Sequence, residues 1–445
     1  MSNVPNVLIT PHRDYLPADS NEQRLFVMLK IPPAKEVSKA RPTTSFVIVV
    51  DTSGSMDDRV AIGKKTKREI VIESLLGLIK TGKVSEKDSI ALIQFDETAS
   101  RIIDLTPATE TAKLENAINQ LRGFSGGTHM RKGLQLALQT LVDRPMSNQR
   151  VLLFTDGQAF DEEDCLALVN EFASKNIPIT ALGVGNDFNE DLLNRLSDAA
   201  GGRTFHVVMD NASGAQVAID DLPAKVAEEL SLAQDEVLTN LVLSAKTVQG
   251  VELCRIMRAY PSFTEFSLEK LPCAIGNASA SDETIFILEF NIGSRPASRI
   301  RIAQVGITYN VPGENRKGEL PPQALVVQFM AGDSFAVEVD PDVMHYVQQC
   351  NLDKIVNEAT RVAESDPQRA EQLLENARRM TQRVGNVAME LSLSSAQDEL
   401  RKTRQISSST RKTIKMGSKG KTVKMEGGIN ELLLSEEEIQ KASGT

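Results

Sequence analysis

The sequence predicts an α/β protein whose doubly wound, mostly parallel sheet is joined to an antiparallel β-sandwich, a helical hairpin and a flexible tail. Three observations carry this. Apolar runs alternate with amphipathic segments from Thr44 onward, the rhythm of strands buried on both faces by helices. The pattern then changes to short β-branched and aromatic runs separated by turn residues, as in antiparallel sandwiches. Finally the composition becomes helical and then basic and polar.

The predicted strands of the α/β unit are Ser45 to Val50, Ser89 to Phe95, Val151 to Thr155 and Ile177 to Val184. Between them, Arg59 to Lys80, Thr109 to Leu121, Met130 to Val142 and Glu162 to Lys175 carry apolar residues at helical spacing, with Gly or Pro at most joins. Residues 41–212 are thus read as one domain. Residues 213–335 are read as a linking helix, about Ala215 to Leu232, followed by the sandwich, with runs such as Leu241 to Ala245, Val251 to Met257, Thr284 to Phe290 and Arg299 to Thr308. Residues 1–40, with the run Arg24 to Ile31, are expected to lend strands to that sandwich across the inserted α/β domain.

Residues 336–404 read as a helical hairpin or small bundle, with Pro367 in the first turn of its second helix, where the missing N–H costs nothing. Residues 405–445 read as a flexible basic tail, too poor in large apolar side chains to offset the entropy of ordering, with one short helix expected over Glu431 to Gln440.

The chain has 445 residues, 41% of them hydrophobic, enough for two or three cores. Residues 401–425 hold nine Lys or Arg and no Asp or Glu, leaving the remainder at 41 minus 60, or −19. The four cysteines, Cys165, Cys254, Cys273 and Cys350, form no CxxC pair and suit neither a disulfide framework nor a zinc site. No secretory signal and no membrane-length apolar stretch is apparent, so the expected address is cytoplasmic, with no membrane partner. The basic stretch lacks Phe, Tyr and Trp for base stacking and the chain as a whole is acidic, so no nucleic acid partner is expected.

The chemistry concentrates in Asp51-Thr52-Ser53-Gly54-Ser55-Met56, which follows a buried strand. Its side chains emerge at the carboxyl edge of a parallel sheet, where ligands of open α/β sheets bind. A carboxylate and two hydroxyls at alternate positions supply hard oxygen donors suited to Mg²⁺ or Mn²⁺. Later loops add Thr128, in Ser125-Gly126-Gly127-Thr128, and Asp156, in Phe154-Thr155-Asp156-Gly157. Other apparent motifs are discounted. Gly77-x-x-x-x-Gly82-Lys83 is followed by Val84 instead of Ser or Thr, and Gly183-Val184-Gly185 has Phe188 where a dinucleotide fingerprint needs its third glycine. The four histidines are too scattered for HExxH, and there is no nucleophile elbow; His129 is read as an exposed loop residue.

These residues resemble the von Willebrand factor A domain, whose metal-ion-dependent adhesion site combines Asp-x-Ser-x-Ser with a distant Thr and a distant Asp. The resemblance implies that Ser53 and Ser55 bind the cation directly, that Thr128 does so directly or through water, and that Asp51 and Asp156 act mostly through bound waters. It leaves one coordination position for an acidic residue of a partner protein. The order of domains and the Lys/Thr-rich tail resemble intracellular bacterial A-domain proteins grouped with calcium-activated chloride channel homologues. That implies a non-enzymatic signalling or assembly adaptor acting beside Ser/Thr kinases, phosphatases or AAA-type ATPases. The alternatives are a scaffold subunit for an AAA-type ATPase or chelatase and, last, a hydrolase.

Lys-Thr-aliphatic-Lys-Met occurs twice, at Lys412 to Met416 and at Lys421 to Met425. The repeat resembles kinase sites whose phosphothreonine is read by forkhead-associated domains together with the third following residue. That would make Thr413 and Thr422 the phosphorylated residues and Met416 and Met425 the ones read. The other reading is a solvated basic end.

Overall fold

The computed structural model describes all residues except 1–6, 35–36, 38–40, 60–64, 81–83, 143–146, 210–211, 333–338 and 426–445. The expected helix over Glu431 to Gln440, and Gly82 with Lys83, lie outside the described residues.

The α/β domain is built on a seven-stranded sheet. Its order from one edge is Val217–Ala218, Thr204–Val208, Ile179–Val184, Asn148–Thr155, Thr44–Asp51, Ser89–Phe95 and Ala99–Pro107. All neighbours are parallel except the last pair. In the central strand Thr44–Asp51, Phe46, Ile48 and Val50 face one core and Val47 and Val49 face the other. Burial on both faces is why this strand reads as an unbroken apolar run. Helices Lys67–Lys80, Thr111–Gln120 and Leu222–Asp235 cover the first face. Helices Met130–Leu141, Glu162–Ser174 and Glu190–Ala200 cover the second.

One element corrects the reading from sequence. The segment expected to be a linker is the helix Leu222–Asp235, whose Leu222, Val226, Leu230 and Ala233 sit in the α/β core, so this domain runs past residue 212. On the opposite face, the helix Glu190–Ala200 is begun by Asn189, whose side chain accepts from the Asp191 and Leu192 amides, and is ended by Gly201 in the left-handed conformation.

The sandwich has two sheets. One is ordered Leu8–Pro11, Gln23–Ile31, Thr284–Ile292, Val251–Tyr260 and Thr264–Phe266; the other is ordered Cys273–Ala274, Glu236–Thr247, Ser298–Val311, Gln323–Met330 and Tyr15–Pro17. The chain's first strands do therefore join the sandwich across the inserted α/β domain, pairing for example Val27 with Leu288. Leu25, Leu29, Phe286, Phe290, Leu243 and Phe329 form the core between the sheets. Each such side chain stabilises the fold by about 1.5–3 kcal/mol on burial.

The helical unit opens with Pro341–Val362, laid across the outer face of the first sheet through Val343, Met344, Tyr346, Val347 and Cys350. Pro367–Val384 follows, with Asp366 capping the Arg369 amide and Pro367 in the first turn as expected. Val387–Thr403 and Ser408–Gly417 complete it. A hairpin or small bundle was expected over residues 336–404; among the described residues three helices fall there and the fourth, Ser408–Gly417, lies beyond.

The last of these corrects the largest expectation. Residues 408–417 form a helix with Ile414 and Met416 at 0% and 1% exposure, and the chain stays ordered against the protein through Met425. The basic segment compensates for few apolar residues with ion pairs: Arg411 and Lys412 to Glu190 at 2.7 and 2.8 Å, Lys415 to Asp191, and Lys419 to Asp198 and Asp353 at 2.6 and 3.1 Å. Among the described residues no helix is long and apolar enough to cross a membrane. The four cysteines are free.

Candidate metal-binding site

All five residues singled out in the sequence lie together at the carboxyl edge of the α/β sheet. Asp51 ends the central strand, Ser53 and Ser55 lie in the turn after it, Thr128 precedes the helix Met130–Leu141, and Asp156 follows the strand Asn148–Thr155. Backbone bonds lash the three loops together: Gly54 N donates to Gly126 O at 3.1 Å, and Phe160 N to Thr128 O at 3.0 Å.

Asp51 is fully buried. Its Oδ1 accepts from the Ser53 amide at 2.9 Å and its Oδ2 from the Thr155 hydroxyl at 2.7 Å. Burial pushes its carboxyl up to about 6, with the nearby Asp156 charge adding to the effect, while the bonds from Ser53 and Thr155 hold it down. Ser53 Oγ lies 3.2 Å from Ser55 Oγ, which donates to Asp156 Oδ1 at 2.8 Å. Thr128 closes the ring: a methyl placed on Gly157 would meet both Thr128 Oγ1 and Ser55 Oγ, at 3.4 and 3.8 Å. The result is two carboxylates and three hydroxyls in one buried nest.

One participant gave no signal in the sequence. Lys67, first residue of its helix and 6% exposed, places Nζ 2.6 Å from Asp156 Oδ2. Its ammonium balances one of the two carboxylates, which would otherwise be two like charges buried side by side. Sequence spacing could not reveal it, because only the tertiary fold brings that helix start to the fourth strand's end.

Several discounted motifs stand as expected. Gly183 and Gly185 close a strand, and Phe188 packs so tightly on Gly183 that an added Cβ would lie 2.5 Å from its ring. Gly77 lies within a helix. His129 is partly exposed, 5.7 Å edge-on from the ring of Phe160.

Phe160 itself went unnoticed. It is 74% exposed, the most exposed large apolar side chain among the described residues, and it stands directly beside Thr128. With Ser55, Thr128 and Gly157 it borders a groove of about 1530 Å³ whose opposite wall includes Arg361, Arg411 and Lys415 of the helical unit.

The donor set is chemically selective. Five oxygens with no sulfur or imidazole match the preferences of Mg²⁺ or Mn²⁺. Ser53, Ser55 and Thr128 are the residues that would hold such an ion, with Asp51 and Asp156 behind them. No cluster of three or more His, Cys, Asp or Glu side chains suited to a metal occurs among the described residues.

The tail threonines are placed differently from the expectation of accessible kinase sites. Thr413 is 5% exposed, and its hydroxyl contacts His206 Nδ1 at 3.0 Å, Gln216 Nε2 at 2.9 Å and Ser409 O at 2.9 Å. Thr422 is 6% exposed. Met416 is buried and Met425 partly so, leaving none of the four presented as a free, readable motif.

The doubly wound sheet has the von Willebrand factor type A fold, and residues 46–220 match that family's model. Residues 341–424 match a second one, the Sll0103-like, C-terminal alpha-helical domain, which takes in the helix Ser408–Gly417. Among curated proteins, the chain is 24% identical over 306 residues to protein sll0103 of a Synechocystis species, covering 67% of this chain and 69% of that one. It is 28% identical over 209 residues to YfbK of Escherichia coli, covering 45% of this chain and 34% of that protein. Among solved structures, a von Willebrand factor type A protein from Catenulispora acidiphila superposes with a TM-score of 0.77 at 16% identity, over 95% of this chain and 98% of that one. VWA2, the ArnB paralog of Sulfolobus acidocaldarius, does so with 0.60 at 14%, over 93% and 99%. The last two likenesses extend the shared fold to nearly the whole chain.

Proposed function

We propose that this protein is a non-enzymatic, metal-dependent adaptor that uses a Mg²⁺ or Mn²⁺ ion in the nest of Asp51, Ser53, Ser55, Thr128 and Asp156 to bind an acidic residue of a partner protein. The observation that carries the reading is the convergence of those five oxygen side chains from three loops. VWA domain proteins generally mediate protein interactions, and such domains commonly hold a divalent metal at this edge. Because the carboxylates stand behind the hydroxyls, and Lys67 already neutralises Asp156, a bound cation stays electron-poor and draws a further carboxylate. The groove beside it is broad, and Phe160 offers the exposed aromatic anchor that protein interfaces favour. Catalysis is not part of this reading, since no imidazole stands among the five donors to act as a general base.

The tail enters only in a second state. A kinase would reach Thr413 after the helix Ser408–Gly417 leaves its seat, and a phosphate there would keep it out, since His206 and Gln216 leave no room for the added group.

The test is capture of partners by the intact protein in Mg²⁺ and in EDTA, with Asp51→Ala in parallel, alongside calorimetric titration of Mg²⁺ and Mn²⁺. Heat of binding that vanishes in Asp51→Ala, with partners lost in both EDTA and the variant, is the expected result. A silent titration overturns the reading. Lys67→Met removes a positive charge from beside the ion and should raise cation affinity about 3- to 10-fold.

A further inference from the structure

A second concavity, remote from the metal-binding edge, lies where the α/β domain, the helical unit and the segment Met416 to Met425 meet. Its volume is about 1130 Å³, above the ~300–1,000 Å³ of small-molecule sites. Lys225, Arg379, Arg383, Lys421 and Lys424 line it, and among the described residues no Asp or Glu does. Three of these cations have carboxylate neighbours outside the lining: Glu228 for Lys225, Glu375 for Arg379 and Asp282 for Lys424. Lys421 has no ion pair among the described residues.

Two polar atoms in the lining are orphaned. Thr422 Oγ1 and Gln348 Oε1 are buried without a hydrogen-bond partner, in side chains 6% and 9% exposed. Buried polar groups are nearly always satisfied, and an unsatisfied one costs about 1–3 kcal/mol. Both residues belong to the wall of the cleft. Met344, Met389 and Met416 furnish the adaptable apolar part of the wall. The chemistry wanted is therefore a peptide with carboxylates for the cations and aliphatic side chains for the methionines.

That description fits the sequence continuing directly from Met425, itself part of the wall. Residues 426–445 contain Glu426, Glu431, Glu436, Glu437 and Glu438 against one Lys441, interleaved with Ile429, Leu432, Leu433, Leu434 and Ile439. Short tethers give high effective concentration, so even weak contacts suffice in the same chain. We infer that the cleft is a binding site for an acidic, leucine-bearing peptide and that its occupant is this chain's own segment 426–445. The inference is independent of the metal site.

The full chain provides the test. Zero-length carbodiimide coupling joins carboxylates to amines in ion-pair contact and is read by mass spectrometry of the monomer. Glu431 and Glu436 to Glu438 should couple to Lys225, Lys421 or Lys424 within one chain. Coupling only to lysines outside the cleft, or only between two copies, overturns the assignment. A second measurement uses the full chain with those four glutamates changed to Gln. Amide exchange over residues 341–349 and 416–425 should then quicken about tenfold. Unchanged exchange overturns the inference.

Discussion

Lys412-Thr413-Ile414-Lys415-Met416 and Lys421-Thr422-Val423-Lys424-Met425 are almost the same five residues, yet the structure uses them in opposite ways. The first is helical, with its lysines on Glu190 and Asp191 and its threonine hydroxyl fully engaged. The second is extended. It bridges Ser262, donates from the Thr422 amide to Pro261 O at 3.1 Å, and passes Val423 O under His345 and Gln349 at 3.0 and 2.9 Å, while the Thr422 hydroxyl has no partner. Local propensity is nearly identical in the two copies and decides nothing; the surface each meets decides everything.

The contrast should break most severely at the two equivalent first lysines. Lys412 is 3% exposed and shares Glu190 with Arg411. Although burial works against the charged form, Lys412 and Arg411 hold Glu190 below the ordinary carboxylate range. Lys412→Glu should cost about 3–5 kcal/mol and release the helix, seen as fast amide exchange over residues 408–417. Lys421→Glu at the exposed counterpart should cost less than about 0.5 kcal/mol.

Acid should act on the first copy through His206. Burial lowers His206 to about 4, with the neighbouring Lys412 charge also opposing protonation, while the Gly185 carbonyl and Glu190 favour it. An imidazole with a depressed folded pKa binds more protons when unfolded, so its contribution is complete above about 6.5 and lost as pH falls toward 4. The seat of Thr413 should weaken by roughly 2–3 kcal/mol over that window. Denaturant titrations of the wild type and His206→Gln at several pH values check this: the variant should lose much of the dependence.

The threonines themselves give the smaller effects, of opposite sign. Thr413→Val strands His206 and Gln216 and should destabilise by about 1–3 kcal/mol. Thr422→Val removes a hydroxyl with no partner among the described residues and should be neutral or stabilising by up to about 1 kcal/mol. Equal losses for the two variants would erase the distinction.

The same contrast shows what could be read from sequence and what could not. The strand Thr44–Asp51 was legible because burial on both faces leaves an unbroken apolar run, and the grouping of the five oxygen-bearing side chains because two strand ends and one loop between helices carry them in a recognisable order. The basic segment was misread because its stability rests on Glu190, Asp191, Asp198 and Asp353, distant in sequence, so composition alone showed a polar stretch with nothing to bury. Lys67 and Phe160 were hidden for a related reason: a lysine opening a helix and a phenylalanine in a turn acquire meaning only when the loops around them are placed. The helix Leu222–Asp235 looked like a connector because its apolar face pointed to no visible partner in the linear pattern.

The insertion of the α/β domain into the sandwich has a mechanical consequence. The chain leaves the strand Gln23–Ile31 to enter the domain at Thr44 and leaves it through Asp235 into the strand Glu236–Thr247. Those two strands belong to different sheets. Both junctions lie at the end of the sheet opposite the metal nest, where Asn148 donates to Ala233 O and Glu236 O. If a partner binds at Ser53 or Ser55 as proposed, its pull would be divided between two anchors and passed to both sheets at once, where it would meet ladders loaded in shear instead of a single strand that could be unzipped.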